Sequence, residues 1–405
     1  MGLLMKKLIF LLSMLLSFNL FAHEDHTMPQ KSNLAISVAF DAGLGGNAKL
    51  WRASLKDGFV LVDASEDLGK TFSAPIKINP SAQKIGADGE ARPKIAISKE
   101  GNIYLTWTEA LKTPFAGYIW FARSIDDGKS FEKPYIVHQD RAEITHRFDA
   151  LNVTPQGQIT VAWVDKRDLI AAKAANKPYV GAAIYYAVST DAGKSFAPEK
   201  KLADSSCECC RIALTNKADG TGSNSTVVAM WRHVFAGSER DHAIAEIKAA
   251  KAPTIVRASF GHWKIDGCPH HGAAIAEGAG FGYHMAYFDG AGEKPSLMYA
   301  RMDGESWVTS PPKRFGNISK NAGHPAIYSK GDTVWLMWRE TNAKLGAEII
   351  GMTSTDGGKS WSDANSVFSS KDKIDYPQLL EYKGQLYLAI NTVADGFKLI
   401  QISGN

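Results

Sequence analysis

Hydrophobic and polar residues alternate with a period of two along most of this chain. The clearest line runs from Arg92 through Ile95 and Ile97 to a turn at Gly101, then through Ile103, Leu105 and Trp107, and later through 118–123. Successive side chains of a strand point to opposite faces, so this alternation predicts strands. The same order of strand, turn and strand ending in an aromatic can be laid over 148–163, 211–231, 272–287, 325–338 and 377–390, with an opening unit over 34–80. Seven units therefore begin near 34, 92, 147, 211, 271, 324 and 376, and the last has room for only three strands. Self-similarity at a period of about 55 residues means stacked copies of one supersecondary unit. The chain reads as all-β, a β-propeller of six or seven four-stranded blades, in which the opening unit either forms its own blade or helps complete the last. The Ala- and Lys-rich stretch 168–178 departs from the alternation and reads as a helical or loose insertion at one rim.

One turn recurs between these strands. Ser189-Thr190-Asp191-Ala192-Gly193-Lys194-Ser195-Phe196 matches copies beginning at Ser65, Ser124 and Ser354, giving four instances of S-x-D-x-G-x-[ST]-[FW]. A degenerate copy runs from Arg301 to Trp307. The Asp is suited to accept backbone N–H groups, the Gly to adopt positive φ, the hydroxyls to bond locally and the aromatic to bury between sheets. This assigns the motif a structural task. It resembles the Asp-box of the sialidase-like β-propellers, over nearly the whole chain after the leader.

Composition narrows the setting. Lys6 and Lys7 precede an apolar run from Leu8 to Phe18, and Ala22 stands where signal cleavage favours a small residue, so 1–22 reads as a signal peptide and 23–32 as a polar leader before a single domain over 33–405. The run is short for a bilayer span, and the expectation is an exported, periplasmic or secreted monomer with no membrane span after cleavage. Without Lys6 and Lys7, 44 of the 46 basic residues face 42 acidic ones, which leaves no polyanion footprint and argues against nucleic acid. With 36 Gly, 10 Trp, 18 Phe and 13 Tyr, the chain suits many short strands joined by turns.

In a propeller the first strand of each blade lines the channel, so the units' first residues converge on one mouth. Those positions hold Arg92, Arg147, Arg211, His271, His324 and Tyr376, with a second ring of Glu109, Asp165, Arg167, Asp168, Arg232, His233, Asp289, Arg339 and Glu340 behind them. Such charges either form an ion-pair lattice or bind a small anionic or carbohydrate ligand. The resemblance implies an exo-sialidase arrangement: three arginines on a substrate carboxylate, here Arg92, Arg147 and Arg211, and a nucleophilic tyrosine, here Tyr376. Glu340 or Glu277 would then be its base, and Asp149 or Asp88 the acid. A non-catalytic propeller scaffold is the bland alternative.

The four cysteines fall in two clusters, Cys207-Glu208-Cys209-Cys210 and Cys268-Pro269-His270-His271, each just before an inner strand. In an oxidising compartment the first expectation is disulfides. The rival is a copper or zinc site, or a thiol-redox centre, built from Cys207, Cys209, Cys210, Cys268, His270 and His271. His23 and His26 near the cleaved terminus are a lesser metal candidate. No nucleophile elbow, phosphate loop or H-E-x-x-H segment is present in the sequence.

Overall fold

Each sequence unit folds as an antiparallel meander whose first strand is innermost. The structure is a computed structural model that describes residues 34–41, 49–87, 90–219, 224–248, 252–267, 269–342 and 346–402. The signal and leader segments, Asp88 and Cys268 lie outside these residues. The blades span 37–77, 94–136, 146–206, 213–257, 274–315, 323–370 and 378–402. The first six have four strands and the last has three. The opening unit forms its own blade, which settles the count at seven. The innermost strands, Ser37–Phe40, Lys94–Ile97, His146–Val153, Ala213–Ala218, Ala274–Gly278, Gly323–Lys330 and Gln378–Tyr382, pack in cyclic order, and the first meets the last. The segment expected to interrupt the pattern contains an α-helix, Arg167–Ala174, the one α-helix among the described residues.

The core is divided among the interfaces between blades. Trp107, Trp163, Trp231 and Trp338 close equivalent second strands and are essentially inaccessible. Two of these indoles donate to the carboxylate two residues on, Trp163 to Asp165 at 2.9 Å and Trp338 to Glu340 at 2.9 Å. Part of the expected second ring is thus structural: a buried indole N–H needs an acceptor, and the strand supplies it at i+2. Arg167 braces Asp165 at 2.8 Å and Glu199 at 2.9 Å, as an ion-pair lattice would.

The recurring turns behave as their residue types dictate. In the copy at 189–196, Ser195 donates from its backbone N–H to Asp191 Oδ1 at 3.0 Å and from its hydroxyl to Oδ2 at 2.6 Å, while Ser189 Oγ accepts from Gly193 N at 3.0 Å. The copies at 65, 124 and 354 repeat this network. What the sequence could not show is what each glycine faces. A Cβ on Gly128 would lie 2.0 Å from Trp51, and one on Gly358 would lie 1.7 Å from the Tyr299 hydroxyl; Gly69 and Gly193 face Phe397 and Phe121 in the same way. Each turn therefore seats on an aromatic of the preceding blade. The motif's own aromatic completes the contact edge-on, with Phe72 on Phe397 at 5.4 Å, Phe196 on Phe121 at 5.0 Å and Trp361 on Tyr299 at 4.7 Å.

Two predictions follow from this packing. Gly128 and Gly157 both have positive φ, +73° and +83°, but nothing lies within 4 Å of a Cβ on Gly157. Gly157→Ala is expected to cost about 1–2 kcal/mol from backbone strain alone, and Gly128→Ala about 1–3 kcal/mol more from overpacking against Trp51; denaturant melts of the two variants check the difference. Separately, the side-chain and backbone hydrogen bonds from Thr71 and Ser130 hold Asp67 and Asp126 at about 2, below their ordinary 3.8. Depressed carboxyls stabilise the fold above the unfolded value and lose that contribution as pH falls toward the folded one. The melting-temperature gap between the wild type and an Asp67→Asn/Asp126→Asn double variant should be full at pH 5 and close between pH 4 and 2.

Candidate functional site at the channel mouth

Five of the expected mouth residues meet. His324 opens the innermost strand of blade 6 with φ +56°, at a β-bulge between Gly323 and Ala326 that turns its ring across the channel. The ring stacks on Tyr376 with centroids 3.6 Å apart at 9° and lies 5.3 Å from His271, which itself stacks on Phe288 at 4.1 Å. The guanidiniums of Arg92 and Arg339 stand 5.3 and 4.7 Å from the Tyr376 ring centroid. Arg211 approaches from blade 4.

The residue that gathers them was not among the expected ones. Glu90 is 1% exposed, and its Oε2 accepts the backbone N–H groups of Arg211 and Gly272, each at 3.0 Å. Its Oε1 takes His324 Nδ1 at 2.9 Å and faces Arg211 Nη1 at 3.7 Å. A Cβ at residue 272 would lie 2.1 Å from Arg211 Cγ and 2.5 Å from Glu90 Oε2, so only glycine permits this approach. Burial would raise the Glu90 carboxyl, but the Arg211 charge, the His324 N–H and the Arg211 amide outweigh it and hold it well below the usual carboxylate range. One signal for Glu90 was available: it stands two residues before Arg92, the spacing that returns a side chain to the same face of an extended segment.

Burial pushes His324 down to about 4 against the pull of Glu90, and His271 down to about 3, so both imidazoles are neutral at pH 7. Nδ1 of His324 is then the N–H donor to Glu90. Burial and the Glu90 charge raise Tyr376 to about 12, with Arg339, Arg92 and Arg211 opposing, so it is a protonated phenol.

The arginines differ in what they hold. Arg92 forms a bidentate fork on Asp375, both contacts 2.7 Å, and donates to Ile36 O at 2.8 Å. Arg211 points Nε at Ala273 O and Nη2 at Pro325 O. Arg339 donates to Ile374 O at 3.1 Å. Arg147 lies over Phe148 at 4.8 Å and faces Phe115 at 6.0 Å.

The remaining candidates stand elsewhere. Asp149 is 1% exposed and takes the hydroxyls of Thr106 at 2.6 Å and Thr108 at 2.9 Å, stapling blade 3 to blade 2. Glu340 holds Asn317 N at 2.8 Å besides Trp338, and Glu277 takes Ala218 N at 2.8 Å. Each of these three carboxylates, expected as acid or base, is engaged by structural donors, whereas Glu90 is the carboxylate bonded to His324 and Arg211. No disulfide joins Cys207, Cys209 and Cys210 to one another.

No family model matches the chain, and no curated protein matches it. Solved structures do. A polysaccharide lyase, described as a PL25 ulvan lyase bound to -[GlcA(1-4)Rha3S]-, is 12% identical over 91% of this chain and 93% of its own, with a TM-score of 0.55. Polysaccharide lyase Uly1 is 10% identical over 90% of each chain at 0.54, and the Hadza microbial sialidase Hz136 is 16% identical over 89% of this chain and 74% of its own at 0.50. The likeness is one of fold: this chain is a seven-bladed propeller of the sialidase-like architecture.

The pH response of stability tests the mouth. A histidine whose folded value is depressed destabilises the fold as pH drops below its ordinary 6.5, because the unfolded chain takes up the proton first. Wild-type melting temperature should fall between pH 6.5 and 4, and His324→Gln, which keeps an N–H for Glu90, should fall less. Glu90→Gln should lose about 3 kcal/mol at pH 7, since it leaves the surrounding donors without their carboxylate.

Proposed function

We propose that this protein is a carbohydrate-active propeller that takes an acidic sugar at the mouth and cleaves its glycosidic linkage, with exo-sialidase-type hydrolysis as the leading reaction. The observation that carries this is the meeting of Arg92, Arg211 and Arg339 around Tyr376, opposed among the described residues by Glu90 and Asp375. With His271 and His324 neutral, the described residues of the group keep a surplus positive charge, which suits a carboxylate ligand. Arg92 is committed to Asp375, so Arg211 and Arg339 are assigned to the ligand and Arg92 to holding the ring that Tyr376 stands on. Tyr376 is assigned the reacting position, and Glu90 sets its proton affinity through space.

A second reading, elimination at a uronic acid, is favoured by the protonation of Tyr376, because a phenol at about 12 is suited to hand a proton to a leaving oxygen. The lyases of matching fold are consistent with it. The two reactions are separated by their products: a fluorogenic sialoside releases its fluorophore on hydrolysis, whereas a uronate polysaccharide gains an unsaturated, ultraviolet-absorbing end. Turnover in one assay is expected to drop at least ~100-fold in Tyr376→Phe, and Arg339→Met is expected to weaken binding of the acidic sugar about 10- to 100-fold. Turnover equal in wild type and Tyr376→Phe sinks the assignment of Tyr376, and failure of sialic acid and uronate ligands to bind at all sinks the reading.

A further inference from the structure

The turn 207–210 takes no part in the reading above. Cys207, Cys209 and Cys210 are 1, 4 and 3% exposed, and their sulfurs converge. Cys207 Sγ lies 3.8 Å from Cys209 Sγ and 3.9 Å from Cys210 Sγ, and all three lie within 4.8 Å of one another. A buried cysteine ordinarily packs as a small hydrophobe. That accounts for a single thiol among Ala91, Phe148, Ile212 and Trp231, but not for three sulfurs from four consecutive residues turned onto one point.

The distances have a chemical meaning. Around a cation with sulfur ligands at about 2.3 Å, the edge of a tetrahedron is about 3.8 Å. Two of the three edges already have that length. Arg240 Nη1 sits 3.6 Å from Cys207 Sγ, where a guanidinium offsets the surplus negative charge that three thiolates leave around one cation. The backbone is fixed on both sides of the turn: Cys207 N–H donates to Arg232 O at 2.9 Å, and the N–H of Arg211 donates to Glu90 at 3.0 Å. His271 contributes to the mouth instead, stacked on Phe288.

We propose that Cys207, Cys209 and Cys210 form a three-thiolate site for a soft, thiophilic d10 cation, Zn2+ or Cu+. Because Arg211 directly follows Cys210, the bound ion braces the strand start that carries a mouth arginine.

The purified full chain, reduced and treated with chelator, is titrated anaerobically with Zn2+ and separately with Cu+, with Co2+ as the spectroscopic probe. The expected result is one ion per chain, thiolate-to-cobalt charge-transfer absorption abolished by Zn2+, and a Kd raised at least ~100-fold in Cys207→Ser and in Cys210→Ser. A second measurement, on wild type alone, guards against a serine variant that does not fold: alkylation of Cys207, Cys209 and Cys210, followed by peptide mass, is expected to slow at least ~10-fold with the ion present at many times its Kd and to recover with chelator. Preference for either ion in competition agrees with the proposal and names the metal. Lack of tight one-to-one binding by reduced wild type, or native chain whose three thiols are locked in disulfides and inert to both ions, overturns it. No sugar enters these measurements, so their failure is distinct from failure of the carbohydrate reading.

Discussion

A ring of seven sheets has one junction that the path of the chain does not tie, between the first blade and the last. Among the described residues no strand crosses it, so side chains hold it. The fork of Arg92 on Asp375, from the lead-ins of blades 2 and 7, brackets that junction through Ile36 of blade 1, with both groups about 95% buried. A buried ion pair is costly unless every remaining donor and acceptor finds a partner. Here Ile36 supplies them, its N–H to Asp375 Oδ2 at 3.2 Å and its carbonyl to Arg92 Nη1 at 2.8 Å. Gln378 bonds the same strand, and Phe40 stacks on Tyr382 at 4.8 Å outside it. Since Tyr376 directly follows Asp375, and Glu90 stands two residues before Arg92, the closure of the ring and the assembly of the mouth are one structural event.

The repeat was legible because it is local. Alternation of apolar residues marks strands, and the Ser, Asp and Gly of each turn bond within eight residues, so Ser65 to Phe72 carries its own instructions. Convergence of Arg92, Arg211, His271, His324 and Tyr376 was legible too, since equal places in equal repeats of a ring must share one end. Partners across blades were not. Asp149 looks like a catalytic acid in isolation; the hydroxyls of Thr106 and Thr108 that claim it belong to another unit with no spacing relation to it. Glu340 is claimed within its own strand, and the clue was the indole of Trp338 two residues earlier. Glu90 escaped notice because it lies in the lead-in ahead of a strand, where its sign was the two-residue step to Arg92.

Glu90 also shows how the channel mouth and the cysteine turn come to depend on one carboxylate. One of its oxygens takes the amides of Arg211 and Gly272, which begin the innermost strands of adjacent blades, and therefore fixes the spacing of the cysteine turn that ends at residue 210 relative to the turn that ends at His271. Its other oxygen fixes the tautomer and tilt of His324, and through the stack the plane of Tyr376. A carboxylate doing both must stay ionised, and the low proton affinity imposed by the Arg211 charge, the His324 N–H and the Arg211 amide secures that near neutral pH. The same property makes Glu90 a poor proton acceptor, since a base held far below neutral pH has little driving force for proton abstraction. Its part at the mouth is therefore positional and electrostatic, and under the proposed function the proton of Tyr376 would answer to the charge of an anion held by Arg211 and Arg339.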